Sequence, residues 1–440
     1  MTSRLRSHIG VLSAVNLLFV CATHLAGQSK EEKPIVLTHA DSLVGKVING
    51  ETVREVSGNV EFVQENVVVR CDRAVHYPGR NYAELYGHIS LIRDTVTLTA
   101  PRGTYSGEKR QAFGFDGVRL WNKRVALTAR EGEYMVDEKT AYFKKQVKVV
   151  DSTTTITGDE LTYYEKEHKS IVTGDVKVVN SRDNTTMYGR FLEHLDDRKY
   201  SKMLQAPKFV QVDTSSSGKI DTLVIISREM ESYEDSLRRF IAIDSVQLVR
   251  GDLSGKCGMG VYYPDKDVVD LRMEPIIWYE ESQVTGDSVY IQLRKRRLDR
   301  VFVYGNAYAI SQSDSLHENR FDQMTSQKMI LYFSDSKLDH IEAEGTAVSL
   351  YFLYDQGVPN GVNKASGDRI FVYSRNGRAE SIKVVGGTEG KYYPENLVAG
   401  SEESYNLLGF RWRTDRPKVG NDLNIVVLPI EKNERTRLEK

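Results

Sequence analysis

Histidines, cysteines and paired carboxylates are the residues from which a metal centre or a hydrolytic site is built, and here their spacing argues against both. After position 28 the chain carries His39, His76, His88, His168, His194, His317 and His340, with no HxH or HxxxH pair to set two imidazoles on one face. Adjacent acids occur at Asp159-Glu160 and Glu402-Glu403, without a recurring carboxylate–histidine grouping of the kind general acid–base chemistry needs. The expectation is therefore no catalytic residue, no metal and no cofactor. Cys71 and Cys257 remain as thiols, with Cys21 near the start. The densest basic run, Arg294-Lys295-Arg296-Arg297, suits contact with the phosphates of an anionic lipid, or simply a solvated hairpin turn between Ile291 and Val301. Sixty basic against 61 acidic residues leave a net charge of −1, which gives no global field for nucleic acid.

The first 27 residues read as an export signal, with Arg4 and Arg6 as its basic region and Val11 to Ala22 as a short apolar stretch. Cleavage is expected after Gly27, where Ala26 and Gly27 precede the polar run from Gln28 to Lys33. An uncleaved anchor is the alternative, but about 20 apolar residues are wanted for a span, and Asn16 and His24 interrupt a shorter one. Lipid attachment at Cys21 fits less well, because Val20 stands where that processing wants a small residue. The mature protein is thus expected outside the cytoplasm.

What must position any functional side chain is a repeat. The triplets Gly58-Asn59-Val60, Gly87-His88-Ile89, Asp116-Gly117-Val118, Lys145-Gln146-Val147 and Gly174-Asp175-Val176 place a β-branched residue every 29 positions. A second anchor keeps step with the first at His76, Tyr105, Tyr134 and Tyr163, each five residues after a small one: Cys71, Ala100, Ala129, Gly158. The pattern continues more loosely through Phe209, Val246, Ile276, Ala307, Ala347 and Thr388, with polar insertions such as Asp213 to Asp221 and Gly357 to Gly367. These make eleven units. Within each, the period of two and an interior glycine predict two long strands bent near their middles, with a parity slip at Gly174-Asp175 and a hairpin turn at Glu165 to Lys169.

Bent hairpins that stack make an all-β, elongated, jellyroll or solenoid-like rod with an apolar interior. The predicted inner positions are Ile89, Val118, Val147, Ile156, Leu161, Ile171, Val176 and Val178, joined by Tyr105, Tyr134, Tyr163 and Tyr262. The tyrosines either line a groove open to a ligand or pack as rungs against one another. At about 9.6 Å per unit the rod spans on the order of 100 Å, and Cys71 and Cys257, six units apart, stand about 58 Å from each other, beyond disulfide reach. The expected organisation is a signal at 1–27, regular repeats at 28–210, a continuation with insertions at 211–394, and a tail or cap at 395–440 in which Phe410 and Trp412 dock on a partner or cover the open end.

The stretch "ITGDELTYYEKEHKSIVTGDVKVV" resembles the OstA/LptA family of lipopolysaccharide-transport proteins. The resemblance is densest from Val56 to Val179 and extends over Val36 to Pro394, with Arg228 standing in for a small residue at one bend. It implies a jellyroll of stacked, bent antiparallel strands that carries lipopolysaccharide, or a related glycolipid, across the periplasm with its acyl chains inside. The implied partners are other jellyroll components of a transport bridge, with head-to-tail self-association through the open strand edges. No region suggests the large barrel of the family's outer-membrane translocon. Two other readings stay open on the residues alone: a structural or adhesive solenoid with a closed, dry core, and a carbohydrate-active parallel β-helix, which the two-strand unit disfavours.

Overall fold

Alternation at a period of two, interrupted once per strand, sets nearly the whole chain into strands. A computed structural model describes residues 34–121, 125–214, 220–294, 297–313, 317–334, 337–375 and 378–418; the expected signal and the end of the tail lie outside them. Among the described residues, thirty strands join in one hydrogen-bonded system. Each unit repeats one device. Strand Tyr82–Arg93 pairs antiparallel with Val67–Tyr77 on one side and Val96–Ser106 on the other, and both ladders break once, between Arg70 and Arg73 and between Tyr86 and Ile89. The break is a corner. The half-strands before and after it belong to two facing sheets, here called upper (Ala83 to Tyr86 and its equivalents) and lower (Ile89 to Arg93). Opposite the corners, the hairpin turns of the two sheets form two rows that meet along a seam. Pairing runs without interruption past residue 210, where Lys208–Thr214 pairs with Ile220–Ile226.

The corner explains the sequence pattern. Two consecutive residues turn with positive φ, as at Gly87 (72°) and His88 (41°), Lys145 (64°) and Gln146 (58°), or Gly305 (67°) and Asn306 (45°). Glycine at the first place also makes room: a Cβ at Gly174 or Gly305 would overlap the carboxylate of Asp159 or Asp287 on the preceding strand. That carboxylate in turn accepts from the corner, from Asp175 N to Asp159 Oδ2 at 3.2 Å and from Asn59 Nδ2 to Asp41 Oδ2 at 3.0 Å. The small-residue-plus-aspartate and the glycine-plus-polar motifs are thus the two halves of one corner.

Two expectations need correction. The parity slip does not occur at Gly174-Asp175, because two added residues restore the phase: Val172 and Val176 are both core residues. The slip lies on the partner strand, between the inner residues Gly158 and Leu161. Ile171, predicted inside, therefore pairs with Thr162 and Glu193 on the outer face, and Val172 takes its place. Likewise Ile277, rather than Ile276, joins the interior in the eighth unit.

The tail corrects a third. After Tyr393 the chain turns through a short helix, Glu395–Val398, and a 3-10 turn, Glu402–Tyr405, then runs back along the outer flank of the lower sheet. Leu407 N donates to Gln323 Oε1 at 2.9 Å, Gln283 Nε2 donates to Arg411 O at 2.8 Å, and Arg416 Nη2 donates to Asp252 O at 2.7 Å, so the segment crosses strand after strand towards the N-terminus. It covers a second apolar core of Tyr308, Ile310, Leu350, Phe352 and Val362. Phe410 and Trp412 pack on Phe321, with centroids 5.3 and 5.1 Å away. They seal a flank, not the end of the rod.

Candidate functional site: the apolar interior and its seam

One apolar cluster runs from Ile35 to Val372, through nearly every unit. Ile89, Val118, Val147, Leu161, Val176, Tyr105, Tyr134 and Tyr262 are buried members of it, and Ile156, Tyr163 and Val178 pack against it while partly exposed. Apart from Ile171, the inner positions predicted from the repeat all face this interior.

Whether a ligand could enter depends on the seam, and its closure varies along the rod. In the N-terminal part it is clasped by side chains that reach from a lower turn to an upper one. Gln64 Nε2 donates to Gly107 O at 3.0 Å, and Tyr105 donates its hydroxyl to Gln64 Oε1 at 2.6 Å. Arg110 pairs with Glu65 at 3.1 Å. Arg93, 3% exposed, donates to Val136 O at 3.2 Å and to Glu165 Oε1 at 2.6 Å, and Tyr134 donates to Glu165 Oε2 at 3.1 Å. Burial pushes the Tyr105 phenol up to about 12, and burial followed by the Glu165 charge raises that of Tyr134, so both hydroxyls remain donors. These two tyrosines are core residues and clasps at once.

Further along, the seam parts. Ile156, Tyr163, Val178, Met187 and Phe240 all face inward, yet each keeps part of its surface in solvent. Behind Met187 and Phe240 lies an apolar cavity that they line together with Phe209, Ile225, Met230, Tyr262, Val269 and Leu271. Its rings form a ladder, Phe209 to Phe240 at 5.4 Å and Phe240 to Tyr262 at 6.3 Å. The rim is polar: His194 Nδ1 lies 2.8 Å from Ser201 Oγ and Nε2 lies 2.8 Å from Asp196. Arg238, on an upper turn, reaches Asp183 on a lower one and also pairs with Glu234 at 3.0 Å and Asp265 at 3.1 Å. Beyond this stretch the seam closes again where Tyr279 meets Phe333 edge to face at 5.1 Å.

The basic run is placed on an upper turn. Arg294 pairs with Asp299 at 3.3 Å, Arg297 opens the next strand, and Lys295 and Arg296 lie outside the described residues. Cys71 and Cys257 are buried free thiols at corners, opposite Val60 and Val246, and burial pushes them up to about 11 and about 12, out of the thiolate range.

Apart from Tyr105 and Tyr134, the clasp residues were not picked out from the sequence, because the side chain at each of these places changes from unit to unit. A readable signal did exist. Gln64 continues the inner phase of Val60 and Phe62, and Arg93 that of Ile89 and Leu91, so a polar side chain on the inward phase just before a turn marks a seam contact.

Residues 32–188 match a family model described as OstA-like protein. Comparison with curated proteins gives no match. Among solved structures, a similar chain is described as LptH, the LptA homologous periplasmic component of the conserved lipopolysaccharide transport device from Pseudomonas aeruginosa. It is 11% identical, with a TM-score of 0.20, over 34% of this chain and 82% of that one. The match makes residues 32–188 an OstA-like segment, built on the repeat with its paired corners.

Proposed function

We propose that the protein carries lipopolysaccharide or a related glycolipid between the inner and outer membranes, holding acyl chains in the interior while sugars and phosphates stay in water. The observation that carries this reading is the continuous apolar cluster from Ile35 to Val372, bordered over its middle third by a parted, polar-rimmed seam. An amphiphile fits such a site end to end. Burial contributes about 0.8 kcal/mol per methylene, so a carrier needs many near-equal positions rather than one deep one, and the repeat provides them. The expected export signal and the OstA-like segment support a periplasmic place in a lipopolysaccharide-transport system, with other jellyroll proteins as partners. The clasps over the N-terminal units favour a second reading, a structural solenoid with a dry core.

One experiment separates the two. Residues 28–440 are purified from a lipopolysaccharide-producing host and the bound lipid is extracted. Co-purifying lipopolysaccharide is expected, reduced in a Val176→Asp variant, since Val176 is 2% exposed on the inner face. A preparation free of lipid, with a variant that simply unfolds, favours the dry solenoid.

A further inference from the structure

The interior is not equally accessible along its length, and that asymmetry is specific to this chain. Over its first four units the seam is held by Gln64, Tyr105, Arg93, Glu165 and Tyr134, with Arg93 almost fully buried. Between the Arg93–Glu165 clasp and the Tyr279–Phe333 contact, inward-facing apolar side chains reach solvent, and the clasp of Asp183 with Arg238 crosses the gap. We propose that this gap, lined by Ile156, Tyr163, Val178, Met187 and Phe240, is a lateral portal through which long acyl chains of an amphiphile enter the interior. The proposal rests on the carrier reading above.

Three observations point to acyl chains rather than to a protein segment or a compact solute. The lining is apolar and the rim polar, which matches a molecule with one end of each kind. Met187 and Met230, unbranched and adaptable, stand with the ring ladder of Phe209, Phe240 and Tyr262 around the cavity behind the gap, a lining that can reshape around a flexible chain. The portal is also continuous with the apolar cluster in both directions, so a chain that enters need not return to water. Arg238 is the gate. Held by Asp183 from the opposite row of turns and by Glu234 and Asp265 from its own side, it can let go of Asp183 and still keep two carboxylates. Arg93 is held more tightly across the seam, by Val136 O and both Glu165 oxygens, with a longer pairing to Asp94 at 3.5 Å on its own side.

The test uses the chain from residue 28 to 440. Benzoyl-phenylalanine is placed at Met187 or Phe240 in the portal, or at Phe62 or Phe143 under the clasps, in a lipopolysaccharide-producing host. Irradiation is expected to give lipopolysaccharide adducts at least several-fold stronger at the two portal positions. Equal adducts at all four overturn the portal while leaving the carrier standing, and adducts at none overturn both. Exchange of the fluorescent fatty acid cis-parinaric acid gives an independent readout that inserts no bulky group. Arg238→Ala is expected to speed its release several-fold and Arg228→Ala, exposed at a corner away from the seam, to leave it unchanged. Equal rates in the parent and Arg238→Ala, or equal acceleration by Arg228→Ala, overturn the gate.

Discussion

His76 stands where the repeat calls for tyrosine, and the exchange has a thermodynamic signature. Its ring packs edge-on against Phe62 at 5.4 Å and its Nδ1 has no hydrogen-bond partner, since imidazole does not extend as far as the phenol that lets Tyr105 reach Gln64. Burial, and after it the Arg54 charge, lowers its pKa to about 4. The folded state thus refuses a proton that the unfolded chain accepts near its ordinary pKa of about 6.5. Stability is whole above that value and drains away as the pH falls towards 4. Urea unfolding at pH 7 and pH 5 is expected to show a loss on the order of 2 kcal/mol, absent in His76→Phe. An equal pH dependence in both proteins rejects the assignment. At this scale the sequence was readable wherever a residue recurs. Val147 and Val176 could be placed from the 29-residue spacing alone, whereas Ile171 and Val172 could be told apart only by knowing that the corner adds two residues to that strand.

Among the elements, the returning tail depends on one buried ion cluster. Arg320, 2% exposed, donates to Glu395 Oε1 at 2.6 Å and to Glu402 Oε1 at 3.2 Å, and its guanidinium holds the Glu395 carboxyl below the usual range. Removing one partner from such a buried cluster costs about 3–5 kcal/mol. Arg320→Ala is therefore expected to free the tail while the repeats stay folded, seen as rapid proteolysis within residues 395–418 with an unchanged β circular dichroism spectrum. Parent-like resistance to the protease means that the apolar contacts of Leu407, Phe410 and Trp412 hold the tail without the arginine. Strands and corners were legible because the same solution is repeated eleven times, but the tail was not. It is built once, with a helix of only four residues, and its target is the outward phase of the strands, which the inward repeat pattern does not describe.

For the whole molecule, the stacked corners dictate a rod on the order of 100 Å long. Small-angle scattering is expected to give a radius of gyration well above the 22 Å or so of a globular chain of this length, and a value near 22 Å contradicts the stack. The architecture was predictable from periodicity. The seam was not, because it is made by turns whose side chains are free to vary from unit to unit.

The tail also orders assembly in time. Strand pairing joins each hairpin to the next, as when Tyr82–Arg93 adds to Val67–Tyr77, so the stack can grow as the chain emerges. The tail's bonds close loops far longer than that: 128 residues from Gln283 to Arg411 and 164 from Asp252 to Arg416. They cannot form until the last strands exist. A chain interrupted before Leu407 leaves Tyr308, Leu350 and Phe352 bare on the flank of an otherwise finished rod, a sticky face that marks it as incomplete. Only synthesis carried through to Trp412 hides that mark.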